Sequence, residues 1–333
     1  MAGPRSRAGR AARSRHDVPA PSTITYHQCL GKEVAFQTRA ARIYRLCQRS
    51  AHRPGAAPVV ASALDPLVRA DPDFEAAAAV VRALATALPE TTLPEGVPHI
   101  DAARARLAAG IPALEGEPLV TGWTLLANAR VLADALAAAD VEQRGVPNAL
   151  ERTLSQDESD ALAAAAQAGS WDLISEMAAR LGLEPDVVVT LLDHAARPAL
   201  RAGTKALLAA IAESRWSRGT CPACGAAPLL SELRSDRASG AEQERVLRCG
   251  RCLAAWSYQR LRCVSCGETN HKQLGYLHGP GQSAFRRADI CSTCHCYIKS
   301  VTALAQLTHG ELLSIDLATA ALDLGAIEHG FHR

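Results

Sequence analysis

The chain has 333 residues, 36 basic and 34 acidic side chains and a formal net charge of +2, enough length for two domains of ordinary size, each with its own core. Hydrophobic residues make up 48% but aromatic ones only 4%, and the apolar content before residue 215 is mostly Ala, Leu and Val in runs that favour helix over sheet. No apolar run approaches the roughly 18 residues that span a bilayer, and no hydrophobic segment follows the early arginines as a secretory signal requires, so a cytoplasmic protein without membrane insertion is expected.

Arg5, Arg7, Arg10, Arg13 and Arg15 precede the first acid, Asp17, and without them the chain holds 31 basic against 34 acidic residues. Residues 1–21 therefore read as a disordered basic tail. From residue 22 to about 50 the only element expected is a helix from about Lys32. "DPDFEAAAAVVRALATALPE" predicts a helix with Asp71 as N-cap, Pro72 in its first turn and Pro89 as its stop. The span from Pro89 to Gly122 reads as a long connection. Helices are then expected from Trp123 to about Val141, Ser159 to Ala168, Trp171 to Leu181, Pro185 to Ala195 and Pro198 to Ser214. In the first of these, Leu125, Leu126, Ala129, Leu132, Ala133 and Leu136 share one face, as in a packed bundle. Structural roles are expected for His99 and His194, and Cys29 and Cys47 read as ordinary thiols.

At about Trp216 alanine helices give way to Cys, Gly, Arg and short strand-like pieces, "ERVLRC", "AAWSYQRLRC" and "LGYLHG". Four CxxC pairs follow. Cys221, Cys224, Cys249 and Cys252 superimpose on Cys263, Cys266, Cys291 and Cys294 by one constant shift of 42 positions, the mark of a duplicated module. In a reducing compartment such pairs point to metal rather than disulfides, and two tight turns closing on each other place four sulfurs at tetrahedral corners. A dithiol array is the alternative, but thiol chemistry does not require pairs of pairs at a repeated spacing; a cross-paired arrangement of the middle pairs is another. Gly225 and Gly267 follow the leading pairs, where a turn with positive φ aims amides at sulfur, whereas Leu253 and His295 follow the trailing ones. Zinc and iron both accept four thiolates. Cys296, in "CSTCHCY", is a further thiol beside the second set and reads as a small neighbour of it, with replacement of one ligand as the alternative.

"CPACGAAP", "VLRCGRCLAAWSYQRLRCVSCG", "LGYLHG", "ADICSTCHCYIK" and the closing "DLATAALDLGAIEHGF" resemble the formate dehydrogenase accessory protein (FdhE) family, closely over roughly 216–333 and loosely before. Cys296 stands where that family leads one to expect a glycine. The resemblance implies a cytoplasmic accessory protein with two rubredoxin-like metal sites, required for active formate dehydrogenase and binding the molybdenum- or tungsten-containing catalytic subunit during maturation. It implies no formate oxidation by this chain, in keeping with a sequence that has no dinucleotide glycine loop, P-loop or Ser, His and Asp constellation. The expected architecture is α+β: a helical domain over 22–215, four-cysteine rubredoxin-like or zinc-ribbon modules over 216–258 and 259–308, and a C-terminal helix over 309–333.

Tyr276, His278 and Gly279 of "YLHG" are candidates for partner contact, with a tight turn around a packed tyrosine as the plainer reading. The chain's end reads as an amphipathic helix from about Ser314, with Leu317, Ala321 and Leu324 on one side and Asp316 and Asp323 off it, docked on the preceding module. A nucleic-acid-binding zinc ribbon is the second reading, since residues 215–300 hold 13 basic and 6 acidic side chains. Two four-thiolate sites, each with a divalent ion, would remove about four charges from that surplus, too little remaining for a phosphate-binding stripe.

Overall fold

The computed structural model describes residues 25–28, 63–234, 244–279, 286–303 and 306–333. The basic tail, the helix expected from Lys32, Cys29 and Cys47 lie outside these residues. Helices α1 (Asp65–Ala70) and α2 (Glu75–Thr86) flank a 3-10 turn, Pro72–Phe74, whose N-cap Asp71 accepts from the Asp73 amide at 3.0 Å. Helix α3 (Ile100–Ala108) lies within the span read as a connection; it buries only Ala103 and Leu107, too narrow a stripe to stand out from Pro- and Gly-rich surroundings.

At the centre stands α4 (Gly122–Ala137), capped by Thr121, whose hydroxyl accepts from the Thr124 amide. It buries Leu125, Leu126, Ala129, Leu132, Ala133 and Leu136, the face expected from their spacing, against α5 (Gly145–Thr153), α6 (Gln156–Ala168) and α8 (Pro185–Ala206). Sequence reading missed α5. Pro147 lies in its first turn, where no amide donor is needed, and is buried with Val146 and Leu150. A reciprocal capping box between Ser155 and Glu158 starts α6, and Gly169, at φ 75°, ends it before α7 (Trp171–Arg180).

The break expected at Pro198 does not occur. Helix α8 runs through it for 22 residues, and the chain breaks instead at Leu207, before α9 (Leu208–Glu213). A proline inside a helix costs about 3 kcal/mol, but Pro198 is buried with Leu191, Leu192, Ala195, Ala199 and Leu200, and packing on both sides of it outweighs the lost hydrogen bond.

Seven strands form one sheet: β1 (Thr25–Gln28), β2 (Pro228–Arg234), β3 (Glu244–Cys249), β4 (Ala255–Ser257), β5 (Leu274–His278), β6 (Arg286–Cys291) and β7 (Tyr297–Ala303), in the order β1-β5-β6-β7-β2-β3-β4. Strands β3 and β6 are offset by 42 at both ends, so the cysteine repeat is also a repeat of structure. The two halves meet at the only parallel strand pairing among the described residues, β2 with β7, where Ser231 faces Ser300 and Arg234 faces Ala303. Tyr276–His278 of "YLHG" lie in β5, hydrogen-bonded to β1 on one edge and β6 on the other, rather than in a turn, and Gly279 follows the strand.

Two helices close the chain, α10 (His309–Ala318), started by a Thr308–Glu311 capping box, and α11 (Ala320–Glu328). Their inward face corrects the expected one: Ala321 is exposed and Leu324 is 64% exposed, while Asp316 and Asp323 turn toward β7. The cause is Lys299, 1% exposed, whose Nζ lies 2.6 Å from Asp316 Oδ1 and 2.7 Å from Asp323 Oδ2 and donates to the Asp316 carbonyl at 2.8 Å. A buried ammonium needs carboxylates, and the two aspartates supply them, while Leu322, Ala326 and Phe331, rather than the Leu317–Leu324 side, pack against Leu277, Ala288 and Ile290 of the sheet.

Removing Lys299 leaves the two part-buried carboxylates only the more exposed Arg333 as counter-ion, 3.1 Å from Asp316 Oδ1 and 3.7 Å from Asp323 Oδ1. Lys299→Ala is expected to cost about 3–5 kcal/mol and to accelerate amide hydrogen exchange across 309–328, whereas a Lys299→Met, Asp316→Asn, Asp323→Asn triple variant recovers most of the loss; chemical denaturation and exchange mass spectrometry read both.

Candidate metal centres

Each CxxC pair sits in a tight knuckle, and the same backbone hydrogen bonds build corresponding knuckles. In the first half the Cys221 amide donates to the Ala226 carbonyl at 2.8 Å, Gly225 to Cys221 at 3.0 Å and Cys249 to Ala254 at 2.9 Å. Forty-two positions on, Cys263 donates to Glu268 at 2.8 Å, Gly267 to Cys263 at 3.1 Å and Cys291 to Cys296 at 3.0 Å. Cysteine in the expected glycine's place thus leaves the last turn intact.

All four knuckles take positive φ after the second cysteine: Gly225 76°, Leu253 66°, Gly267 78° and His295 56°. The trailing turns match the leading ones although a side chain occupies the left-handed position. Their signal was absent from the sequence because glycine, the usual marker of that conformation, is missing there.

Four sulfurs converge in each half, from Cys221, Cys224, Cys249 and Cys252 and from Cys263, Cys266, Cys291 and Cys294, all within 4.8 Å of one another in each group. Cys221 and Cys252 are 3.5 Å apart, as are Cys224 and Cys249; in the second group the matching pairs stand at 3.6 Å and 3.8 Å. A tetrahedron with metal–sulfur bonds of about 2.3 Å has edges of about 3.8 Å, so each quartet fits one ion. Burial pushes the Cys221 and Cys252 thiols well up, while hydrogen bonds from Cys221, Cys224 and Cys252 hold Cys249 well down. Cys296 stands outside the second quartet, with Sγ 3.3 Å from Ser265 Oγ and 3.3 Å from His332 Nε2.

The surroundings of the two quartets differ. Every cysteine of the first is buried and belongs to the same core as α4, α6 and α8. The loop before α4 is stitched to the first knuckle, Ala113 donating to the Pro222 carbonyl at 2.8 Å and Leu114 to Ala223 at 2.9 Å. In the second quartet Cys266 is exposed and Cys294 half-buried.

Arg251, inside the "CGRC" knuckle, is a residue the sequence did not single out. Its Nε lies 2.5 Å from Asp193 Oδ1, its Nη2 donates to the Ala166 carbonyl at 2.6 Å, and its guanidinium lies 4.9 Å from the Trp171 ring centroid. Burial pushes the Asp193 carboxyl up, but Arg197 and Arg251 overcome that and hold it below the usual carboxylate range. The neighbouring His194, whose Nδ1 lies 2.9 Å from the Thr190 carbonyl, is pushed down to about 4 by burial and by Arg197. His99 pairs with the buried Glu117 at 3.1 Å.

Fold and sites together define a helical protein whose core continues into a duplicated four-cysteine module. Residues 261–333 match the family model described as "FdhE, C-terminal domain". A "Protein FdhE homolog" from Pseudomonas putida is 30% identical over 250 residues, 72% of this chain and 73% of that protein. Another from Stutzerimonas stutzeri is 38% identical over 120 residues, 36% of this chain and 37% of that protein, so the alignment spans little more than a third of that relative's length. The crystal structure of the FdhE protein from Pseudomonas aeruginosa superimposes with a TM-score of 0.50 at 25% identity, covering 93% of this chain and 96% of that one. The chain belongs to the FdhE family.

Two outcomes follow from these geometries. A chelator should strip one ion per chain fast and the other slower by on the order of tenfold or more, because reaching the enclosed quartet requires opening of the shared core; Cys266→Ser should abolish only the fast phase. Leu253→Gly should raise stability by about 0.5–1 kcal/mol by relieving left-handed backbone, and Gly225→Ala, whose Cβ would lie 3.1 Å from Pro112 Cγ, should lower it by about 1–2 kcal/mol, both read from denaturant midpoints.

Proposed function

We propose that this chain is a cytoplasmic accessory protein for formate dehydrogenase, binding the molybdenum- or tungsten-containing catalytic subunit during its maturation rather than oxidising formate itself. Membership of the FdhE family supports the accessory role. The observation that carries the reading is the pair of sulfur quartets: four thiolates around one ion leave no open position for a substrate, unlike catalytic zinc sites with three protein ligands and a water. The two sites divide the work. The enclosed first site is a clasp that holds the module on the helices, and an ion there, zinc or iron, contributes folding energy. The second site, with Cys266 at the surface, stands where a client can meet it, and with iron it would exchange electrons with that client. Among the described residues no helix is long and apolar enough to cross a membrane.

The test combines composition with capture. Protein purified without oxygen is expected to carry about two ions per chain, as the two quartets require, and to retain the catalytic subunit of a formate dehydrogenase from lysate of its own source. Iron with thiolate charge-transfer bands that bleach reversibly supports electron exchange; zinc in both sites removes it and leaves a scaffold. Cys266→Ser is expected to keep the fold and lose the capacity to restore formate dehydrogenase activity in cells lacking the chain. Full restoration by that variant would overturn the role given to the second site, and failure of the wild-type chain to retain the catalytic subunit would overturn the partner.

A further inference from the structure

Beside the second quartet a cleft of about 80 Å³ opens between the 260–264 segment and strands β5, β6 and β7. Four arginines line it, Arg245, Arg260, Arg262 and Arg287, with a single acid, Asp289, while Cys263 and Cys291 contribute to its wall. Asp289 is already shared out: Oδ1 accepts from Arg287 Nε at 2.6 Å, and Oδ2 lies 2.5 Å from Ser300 Oγ and 3.5 Å from Arg245 Nη2. Arg245 is nearly fully buried and braces the rim by donating to the Arg262 carbonyl at 2.9 Å and the Arg260 carbonyl at 3.3 Å. The guanidiniums of Arg260 and Arg262 form no ion pair among the described residues, and Arg262 Nε is buried without an acceptor.

Charge and size narrow what completes this arrangement. Four cations and one carboxylate leave three positive charges, and a divalent ion in four thiolates at the adjoining quartet offsets about two of them. The remainder matches a single negative charge better than a phosphate dianion. The volume exceeds the roughly 10–15 Å³ that one water needs and falls well short of the 300–1,000 Å³ of cofactor-sized pockets. Arginine's planar fork suits the two oxygens of a carboxylate. Leu261, 57% exposed, lies in the lining and offers apolar contact to a short carbon stem.

We propose that this cleft is a carboxylate-binding site, taking the head of a small monocarboxylic acid or of an acidic side chain on a docking protein. The inference does not depend on the formate dehydrogenase reading, and its failure leaves that reading standing. It is tested by calorimetric titration of the full-length, metal-loaded chain with sodium formate, with sodium acetate, and with a capped Leu-Glu-Leu peptide beside its Leu-Gln-Leu counterpart. The carboxylate probes are expected to bind and the glutamine peptide not to. Arg260→Gln, which removes a group with no ion pair in the fold, and Arg287→Gln should each weaken binding about tenfold, the loss of one charge-assisted hydrogen bond, with metal content unchanged. Formate or acetate binding as tightly as the glutamate peptide identifies a free acid as the ligand, and binding of the peptide alone identifies a side chain presented by a partner. Equal binding of the two peptides, undiminished affinity in both variants, or no heat from any carboxylate probe at millimolar concentration would overturn the proposal.

Discussion

The fold depends on four sulfurs meeting inside a core that belongs to the helices as much as to the sheet. Cys221, Cys249 and Cys252 are buried with Leu191, Leu192 and Ala195 of α8 in one continuous cluster, and the amides of Ala113 and Leu114 are hydrogen-bonded to the knuckle itself. Closing that quartet therefore sets the position of the helical domain on the sheet. Four thiolates gathered at this depth without a counter-charge would be costly, so an ion bound there would couple the assembly of the two parts to occupancy of the site.

Duplication explains the local chemistry of the second quartet but not its surroundings. The same turns, the same left-handed residue after each pair and nearly the same sulfur spacings recur after 42 positions. One copy faces α6, α7 and α8; the other faces solvent and an arginine-lined cleft. Divergence of the packing around a shared module thus yields one enclosed site and one accessible site. The parallel β2–β7 pairing carries the sheet across both halves, so both sites are mounted on one continuous sheet.

Two buried cations anchor the elements at the edges of this arrangement. Arg251 ties the trailing knuckle of the first site to α6, α7 and α8 through Asp193, the Ala166 carbonyl and the Trp171 ring. Lys299 draws Asp316 and Asp323 of the closing helices onto β7, and Tyr297 adds a hydrogen bond to Asp323 at 2.8 Å. Each ties together segments distant in sequence, so neither is recognisable from its local neighbourhood.

By itself the sequence determined what short-range covalent spacing controls. The repeat at 42 assigned the eight cysteines to two quartets, the 3.6-residue period of α4 named its buried face, and Asp71 with Pro72 marked the start of the turn that leads into α2. The tertiary structure decided what depends on neighbours: that α8 continues through Pro198, that Leu253 and His295 adopt left-handed backbone without glycine, that the closing helices turn their aspartates inward, and that one quartet is enclosed while its twin is open. Spacing along the chain selects which atoms are able to meet, whereas burial and charge compensation are properties of what lies against them, and those contacts come from residues tens to a hundred positions away.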